Sequence, residues 1–485
     1  LPVVFRQTTP QHRDADIGRA EARKGTASKG GPMKVTAPVA SDVRTVGRWE
    51  ATVVDLIRMA RGRHGGSKPV RWTVQPLLKA VRDCGTVHFY ADTADPVELR
   101  DLLVAQEDGD AVYMYREIDG NTTNQPLIEK VLDRLLSADE TDGIVAWARR
   151  LREADPDLTL QETTVLVYSI LNGRLGWEVV DRFGAGRTWH ISLELHTALA
   201  PDPVASRRVA RCLSRAVPGA LVKVAFTPDH PHALLIARDL EREGVAVNFT
   251  ATFSARQVVA AALLANPHRT NIFLGRLNQG LRSDLLGEHV LLEAQRHMRR
   301  LRRDFGVRTL NMAASVRRWQ TISLTAGCDA YTVPYGVLKA FLSQQEIGPE
   351  AIRDCQEMDF TEQVRALPSE VVEKVGGFER VRRLWEVEPE FIEFLVELRS
   401  DPAFDGLDGE GLFRRFDEAG FGDFFYAPTA AEWKELRKDK LPDLDSPLTR
   451  RIALDTLYSL LAVGDFANFQ DRMDARIRAI LEPLF

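Results

Sequence analysis

Hydrophobic and polar positions along this chain change rhythm near residue 85. From there to about 343, short runs rich in β-branched and aromatic residues alternate with stretches of helical period. The runs are 87–92 (VHFYAD), one ending near Ile118-Asp119-Gly120-Asn121, 188–194 (TWHISLE), 220–226 (ALVKVAF), 245–250 (VAVNFT), 271–276 (NIFLGR), 309–314 (TLNMAA) and 330–333 (AYTV). Between them, 232–243 (HALLIARDLERE) gathers Leu234, Leu235, Ile236 and Leu240 on one side, and Gly244 ends it. Residues 254–265 open on Ser254, an N-cap. Strand then helix, eight times over about 250 residues, predicts an α/β fold of the (β/α)8 TIM-barrel type. An open doubly wound sheet would need a Gly-rich phosphate turn after its first strand, and Asp92-Thr93-Ala94-Asp95 is not one.

The flanks read differently. Residues 1–45, rich in Arg, Lys, Thr, Gly and Pro, predict a disordered or loosely attached segment, with an Arg-rich transit peptide as a weaker alternative. Residues 46–86 predict short N-terminal helices and 87–343 the barrel. Residues 344–485 predict a helical C-terminal appendage, with Trp385, Phe391, Phe394 and Leu395 at amphipathic spacing and a last helical stretch from about 448 to 482. A chain of 485 residues has room for all of these.

Composition narrows the functional classes. With 44% apolar and 27% charged residues and a net charge of -5, nothing calls for nucleic acid or a membrane, and no apolar run reaches spanning length. Over residues 1–71, 14 Lys/Arg against 6 Asp/Glu read as a solvated tail. Four cysteines, Cys84, Cys212, Cys328 and Cys355, lie far apart without CxxC spacing, which fits a reducing cytoplasm. His230 and His232, between prolines, read as a polar loop entering a helix rather than as metal ligands.

One charge interrupts the fourth strand. Lys223 stands in an apolar run, where a charge is expensive unless it is neutralised, paired or chemically used. It is a salt-bridge partner or a working amine. The other strands bear on that choice, since barrel chemistry gathers at the carboxyl ends of strands. Those ends carry Asp92, Asn124, Glu194, Asn248 with Thr250, Arg276, and Ser315 with Arg317. A lysine among apolar walls and near cations loses its proton more readily, and its amine can attack a ketone to form a Schiff base. Arg317 and Ser315, at the opening of a helix, would grip a phosphate, and Asp92 and Glu194 would move protons. The substrate implied is a phosphorylated ketose.

Residues 87–343 resemble the transaldolase family of class I aldolase barrels. Tyr90-Ala91-Asp92-Thr93 looks like its first-strand aspartate segment, and Thr122-Thr123-Asn124 with Pro126-Leu127-Ile128 is similar to its TTNPSLI. Ser192-Leu193-Glu194-Leu195 resembles S-x-E-V, and Leu221-Val222-Lys223-Val224 the Schiff-base strand. Val247-Asn248-Phe249-Thr250 with Phe253-Ser254 resembles N-x-T-x-x-F-S. Phe273-Leu274-Gly275-Arg276 resembles F-V-G-R, Met312 to Arg317 resembles M-A-A-S-F-R, and Ala326-Gly327-Cys328-Asp329 repeats AGCD.

The resemblance implies a transferase that moves a dihydroxyacetone unit from a ketose phosphate to an aldose phosphate. Lys223 would form the imine and Asp92 would exchange the proton of the hydroxyl whose carbon-carbon bond breaks. Glu194 would shuttle protons through a water with Thr250. Asn124, Asn248, Asn271 and Phe273 would flank the sugar, and Arg276, Ser315 and Arg317 would bind phosphate. No metal or organic cofactor is implied. Partners would be phosphorylated sugars, with no nucleic acid and no membrane; self-association stays open. Fructose-6-phosphate aldolases of the same fold carry Gln where this chain has Glu194 and Tyr where it has Phe273, so transfer is favoured over simple cleavage. A silent sugar-phosphate-binding relative is the alternative outside catalysis. The chain departs from the pattern at Asn271, usually Ser, at Gln125 in place of Pro, at bulky Phe226, and in a long 93–121 loop.

Overall fold

The computed structural model describes residues 48–64, 68–184 and 186–485; the expectation of a loose segment over 1–45 lies outside the described residues. Eight parallel strands close into a barrel: β1 His88–Asp92, β2 Gly120–Thr122, β3 His190–Glu194, β4 Ala220–Ala225, β5 Val247–Thr250, β6 Arg269–Phe273, β7 Leu310–Ala314 and β8 Ala330–Pro334. The order is sequential, β1 to β8, with β8 pairing back onto β1. Parallel neighbours need crossovers, and helices supply them, which buries each strand on both faces. That is why the runs read as nearly unbroken apolar stretches.

Register carries the functional information. Glu194 pairs with Lys223, and Lys223 with Asn248, so three polar side chains lie abreast on one face of β3, β4 and β5. Asp92 pairs with Thr122, and Thr122 with Ser192, one step lower. Val222 and Val224, on the other face of β4, are buried in the helical layer. Gly120 opens β2 where a Cβ would fall 1.8 Å from the His190 carbonyl oxygen, so no larger residue fits between β1 and β3 there.

Three boundaries differ from the sequence reading. The sixth strand ends at Phe273, and Arg276 stands on the helix Leu274–Gly280. A strand Val70–Thr73 separates the N-terminal helices Trp49–Arg58 and Pro76–Asp83. It joins Val104–Glu107 and Val112–Tyr115 in a small sheet. The 93–121 insertion therefore folds as a helix, Pro96–Leu103, plus two of these strands rather than as a loop.

The C-terminal helices share one continuous apolar core with the barrel. Phe226 explains part of that continuity. It is 1% exposed and packs against Phe249, Phe424 and Phe425, so its bulk fills a contact with the C-terminal region rather than the barrel rim. The longest helix, αC (Leu454–Leu481), packs against the helices Gln125–Lys130 and Leu160–Phe183 and the turn Thr197–Leu199. Its anchors are spread along its length. Asp455 takes Nε and Nη2 of Arg256 at 2.7 and 2.8 Å and Ser254 Oγ at 2.7 Å; Ser459 bonds the Ala251 carbonyl at 2.8 Å; Asp474 meets His196 Nε2 at 2.9 Å. Among the described residues no helix is long and apolar enough to cross a membrane.

Candidate active site

At the carboxyl end of the barrel the structure brings Asp92, Asn124, Lys223 and Asn271 to a cavity of about 280 Å³, with Phe273, Arg276, Ser315 and Arg317 completing one side. Lys223 is 3% exposed. Its Nζ donates to Glu194 Oε2 at 3.0 Å and to the Thr123 carbonyl at 3.1 Å. Both readings of its charge therefore meet in one arrangement, an ion pair whose amine faces a cavity. A buried pair gives up solvation that Coulomb attraction only partly returns, so it is a poor device for stability alone.

The two carboxylates lie in similar surroundings. Burial pushes the Glu194 carboxyl above its usual range, against the opposing charge and hydrogen bond of Lys223; the Asp92 charge adds to the rise. Burial likewise raises Asp92, opposed by Lys223, by Thr122 and by Arg317. Thr122 Oγ1 donates to Asp92 Oδ1 at 2.7 Å and contacts Thr332 Oγ1 on β8, the strand on the other side of β1. Carboxyls held this way keep their protons at higher pH than free ones.

Glu194, Thr250 and Asn248 lie behind the cavity surface. Asn271 Nδ2 donates to Thr250 Oγ1 at 3.3 Å, and Asn248 Nδ2 to Ser192 Oγ at 3.0 Å. The carbonyl oxygens of both amides are buried without a protein partner. Asn124 caps the helix Gln125–Lys130 by accepting from the Leu127 amide at 3.0 Å, which fixes its place on the rim. Gln125, in place of proline, turns inward and donates to the Leu195 carbonyl at 3.1 Å.

The cationic side departs from expectation in its backbone. Ser315 and Arg317 do not open a helix; they lie in the loop before the short helix Gln320–Leu324, and Ser315 has a left-handed φ of 61°. What this loop offers the cavity is therefore side chains, without a helix terminus of its own. Gly275 makes the arrangement fit, since a Cβ on it would fall 2.0 Å from the Ser315 carbonyl oxygen and 2.7 Å from Arg317 Cγ. The Ser315 hydroxyl and Arg276 Nη1 are buried without protein partners. Burial lowers the pKa of both arginines, and for Arg317 the Arg276 charge adds to the effect.

Sequence reasoning missed the far wall. Asp465, Phe466 and Phe469 of αC, with Lys440, line the same cavity. Asp465 Oδ2 accepts from Arg276 Nη2 at 2.7 Å, and the Phe466 ring lies 5.8 Å from Lys223 Nζ. No local pattern marks these residues, because only the packing of αC brings them there. Thr122 was within a quoted motif, but its bond to Asp92 follows from register.

Comparison with known proteins now bears on this geometry. The profile described as Transaldolase/Fructose-6-phosphate aldolase matches residues 89–374, which takes in all eight strands apart from His88. The chain belongs to that family. A transaldolase of Xanthomonas oryzae pv. oryzae is 30% identical over 265 residues, covering 51% of this chain and 78% of its own length. A transaldolase of Xanthomonas campestris pv. campestris is 30% identical over 269 residues, with the same coverage. One from Pseudoalteromonas atlantica is 27% identical over 276 residues, covering 54% and 78%. The transaldolase/aldolase family match ends before Lys440 and αC, so the far wall of the cavity lies outside it.

Proposed function

We propose that this chain is a transaldolase-type transferase that carries a dihydroxyacetone unit on Lys223 from a ketose phosphate to an aldose phosphate. The observation that carries the reading is the Lys223 amine at the cavity wall, bonded to Glu194 and flanked by Asp92. The Lys223 amine adds to the C2 carbonyl of the ketose. Glu194 supplies the proton with which the carbinolamine hydroxyl leaves as water, and the imine forms. Asp92 takes the proton of the C4 hydroxyl, the C3–C4 bond breaks into an aldose and an enamine, and the bonding pair stays on the three-carbon unit. An incoming aldehyde accepts that pair at carbon, Asp92 returns the proton to the new hydroxyl, and water releases the product ketose. Asn124 and Asn271 supply amide groups for sugar hydroxyls at the cavity wall, with Asn248 one layer behind them. Arg276, Ser315 and Arg317 supply two cations and a hydroxyl for the phosphate. Phe273 has no hydroxyl with which to protonate the enamine, and no tyrosine stands among the described residues that line the cavity, which favours transfer over release.

The test follows carbon. With fructose 6-phosphate labelled at C1 to C3 and erythrose 4-phosphate as acceptor, the label should appear in a seven-carbon ketose phosphate. Label appearing as free dihydroxyacetone would convert the reading to simple aldol cleavage, and no movement of label would refute it.

A further inference from the structure

The cation assigned above to phosphate is already engaged by this chain's own carboxylate. Asp465 of αC accepts from Arg276 Nη2 at 2.7 Å, and the two side chains are 16% and 7% exposed. The other arm of the guanidinium fork, Nη1, is buried without a protein partner. The pair is held in place by aromatic rings, with the Arg276 guanidinium 5.6 Å from the Phe466 ring and 5.8 Å from that of Phe273. Arg276 also feels the negative charge of Asp439.

The charge count at this end of the cavity follows. Arg276 and Arg317 alone present two positive charges. The C-terminal region adds one more through Lys440 and removes two through Asp439 and Asp465. A dianion entering there meets a fixed carboxylate on the very arginine that would bind it, in a partly desolvated site where like charges repel strongly. A hydroxyl meets the same carboxylate as a hydrogen-bond acceptor.

We propose that Asp465 is a specificity-determining residue that lowers the preference of this site for a phosphorylated over an unphosphorylated ketose, so that sugars with a hydroxyl at the distal end are accepted as donors. This rests on the reading of Lys223 as the imine-forming amine. It concerns residues outside the family match, so this site differs from one built on Arg276, Ser315 and Arg317 alone.

The experiment compares kcat/KM for fructose 6-phosphate with that for fructose, each with the same aldehyde acceptor, in the wild type and in Asp465→Asn. The amide keeps an acceptor for Arg276 and removes the charge. The ratio of the two values is expected to rise at least tenfold in Asp465→Asn and to stay near the wild-type value in Asp465→Glu. A ratio that is unchanged or lower in Asp465→Asn overturns the proposal. If Asp465→Asn does not fold, Lys440→Gln reads the same balance from the exposed side: the ratio should fall several-fold, and an unchanged ratio overturns the proposal. Borohydride trapping of dihydroxyacetone on the wild type separates the two levels. No adduct on Lys223 refutes the Schiff-base reading, whereas an adduct with an unresponsive ratio refutes only the role of Asp465.

Discussion

Lys223 and its two carboxylates show how neighbours set the task of a side chain. Asp92 and Glu194 are both buried enough to be raised above the ordinary carboxylate range, and both feel the Lys223 charge. For activity, a base must be ionised, so the acid limb of the pH profile of kcat/KM should lie above the ordinary carboxylate range. Asp92→Asn should cost about 10²- to 10⁴-fold in kcat for transfer, the usual worth of a positioned acid/base group. Stability should move the other way. A carboxyl whose folded pKa is raised favours the fold fully below its unfolded pKa, and that contribution is lost as pH rises through the folded value. Asp92→Asn should therefore unfold at a higher temperature than the wild type at pH 8, with the gap closing as the pH falls toward 4. Thermal unfolding across pH reads this directly. Asp92 and Glu194 were legible in the sequence because each ends a strand, and Lys223 because it interrupts an apolar one; the pleat and the closed parallel register then leave them little freedom. Arg276 was legible by residue but misplaced by element, since the strand-like run continues apolar into the helix that carries it.

At the scale of elements, αC is the part the sequence reading understated. Its helical period is visible in the sequence, but nothing local distinguishes a helix beside the barrel from one that walls the cavity. The contacts that decide this join residues about 200 positions apart, as between Arg256 and Asp455 or Ala251 and Ser459. Phe226 is the converse case. It was legible as an anomaly of the fourth strand, and the structure gives the reason in Phe424 and Phe425. The Arg256–Asp455 pair, 7% and 4% exposed, anchors the start of αC. Asp455→Ala would leave a buried guanidinium with only Asp423 for charge, and should destabilise by about 3–5 kcal/mol, measured by urea unfolding. Activity should fall with it, since Asp465 and Phe466 are on the same helix. A loss under ~1 kcal/mol would mean that αC is held by its apolar contacts alone.

For the whole molecule, histidines lowered by burial shape the response to acid, two of them at the barrel's amino end. His88, His190 and His268 cluster there, with ring centroids 5.1 to 6.2 Å apart. Burial, then the charge of Arg269, lowers His190 to about 4 and His268 to about 3; burial also lowers His289 and His297 to about 4. These groups stay neutral in the fold, whereas the unfolded chain binds their protons from about pH 6.5 downward. Their contribution to stability is present above pH 6.5 and is lost as pH falls toward 4. Raised carboxyls such as Asp229, Glu241 and Glu293 oppose part of that loss. The thermal midpoint should drop across this window, and His268→Gln with His297→Gln should flatten the drop. None of this was legible in the sequence, where the histidines carry no common spacing and meet only through barrel closure. The barrel itself was legible, because repetition of strand and helix is a property of the whole chain rather than of any one boundary.

The central claim is that the Lys223 amine forms the covalent intermediate. Incubation with fructose 6-phosphate, reduction by borohydride and mass mapping of peptides tests it most directly. One adduct is expected, a reduced ketose or three-carbon unit on Lys223, absent from Lys223→Met. An adduct on another lysine, or none at saturating sugar, would contradict it.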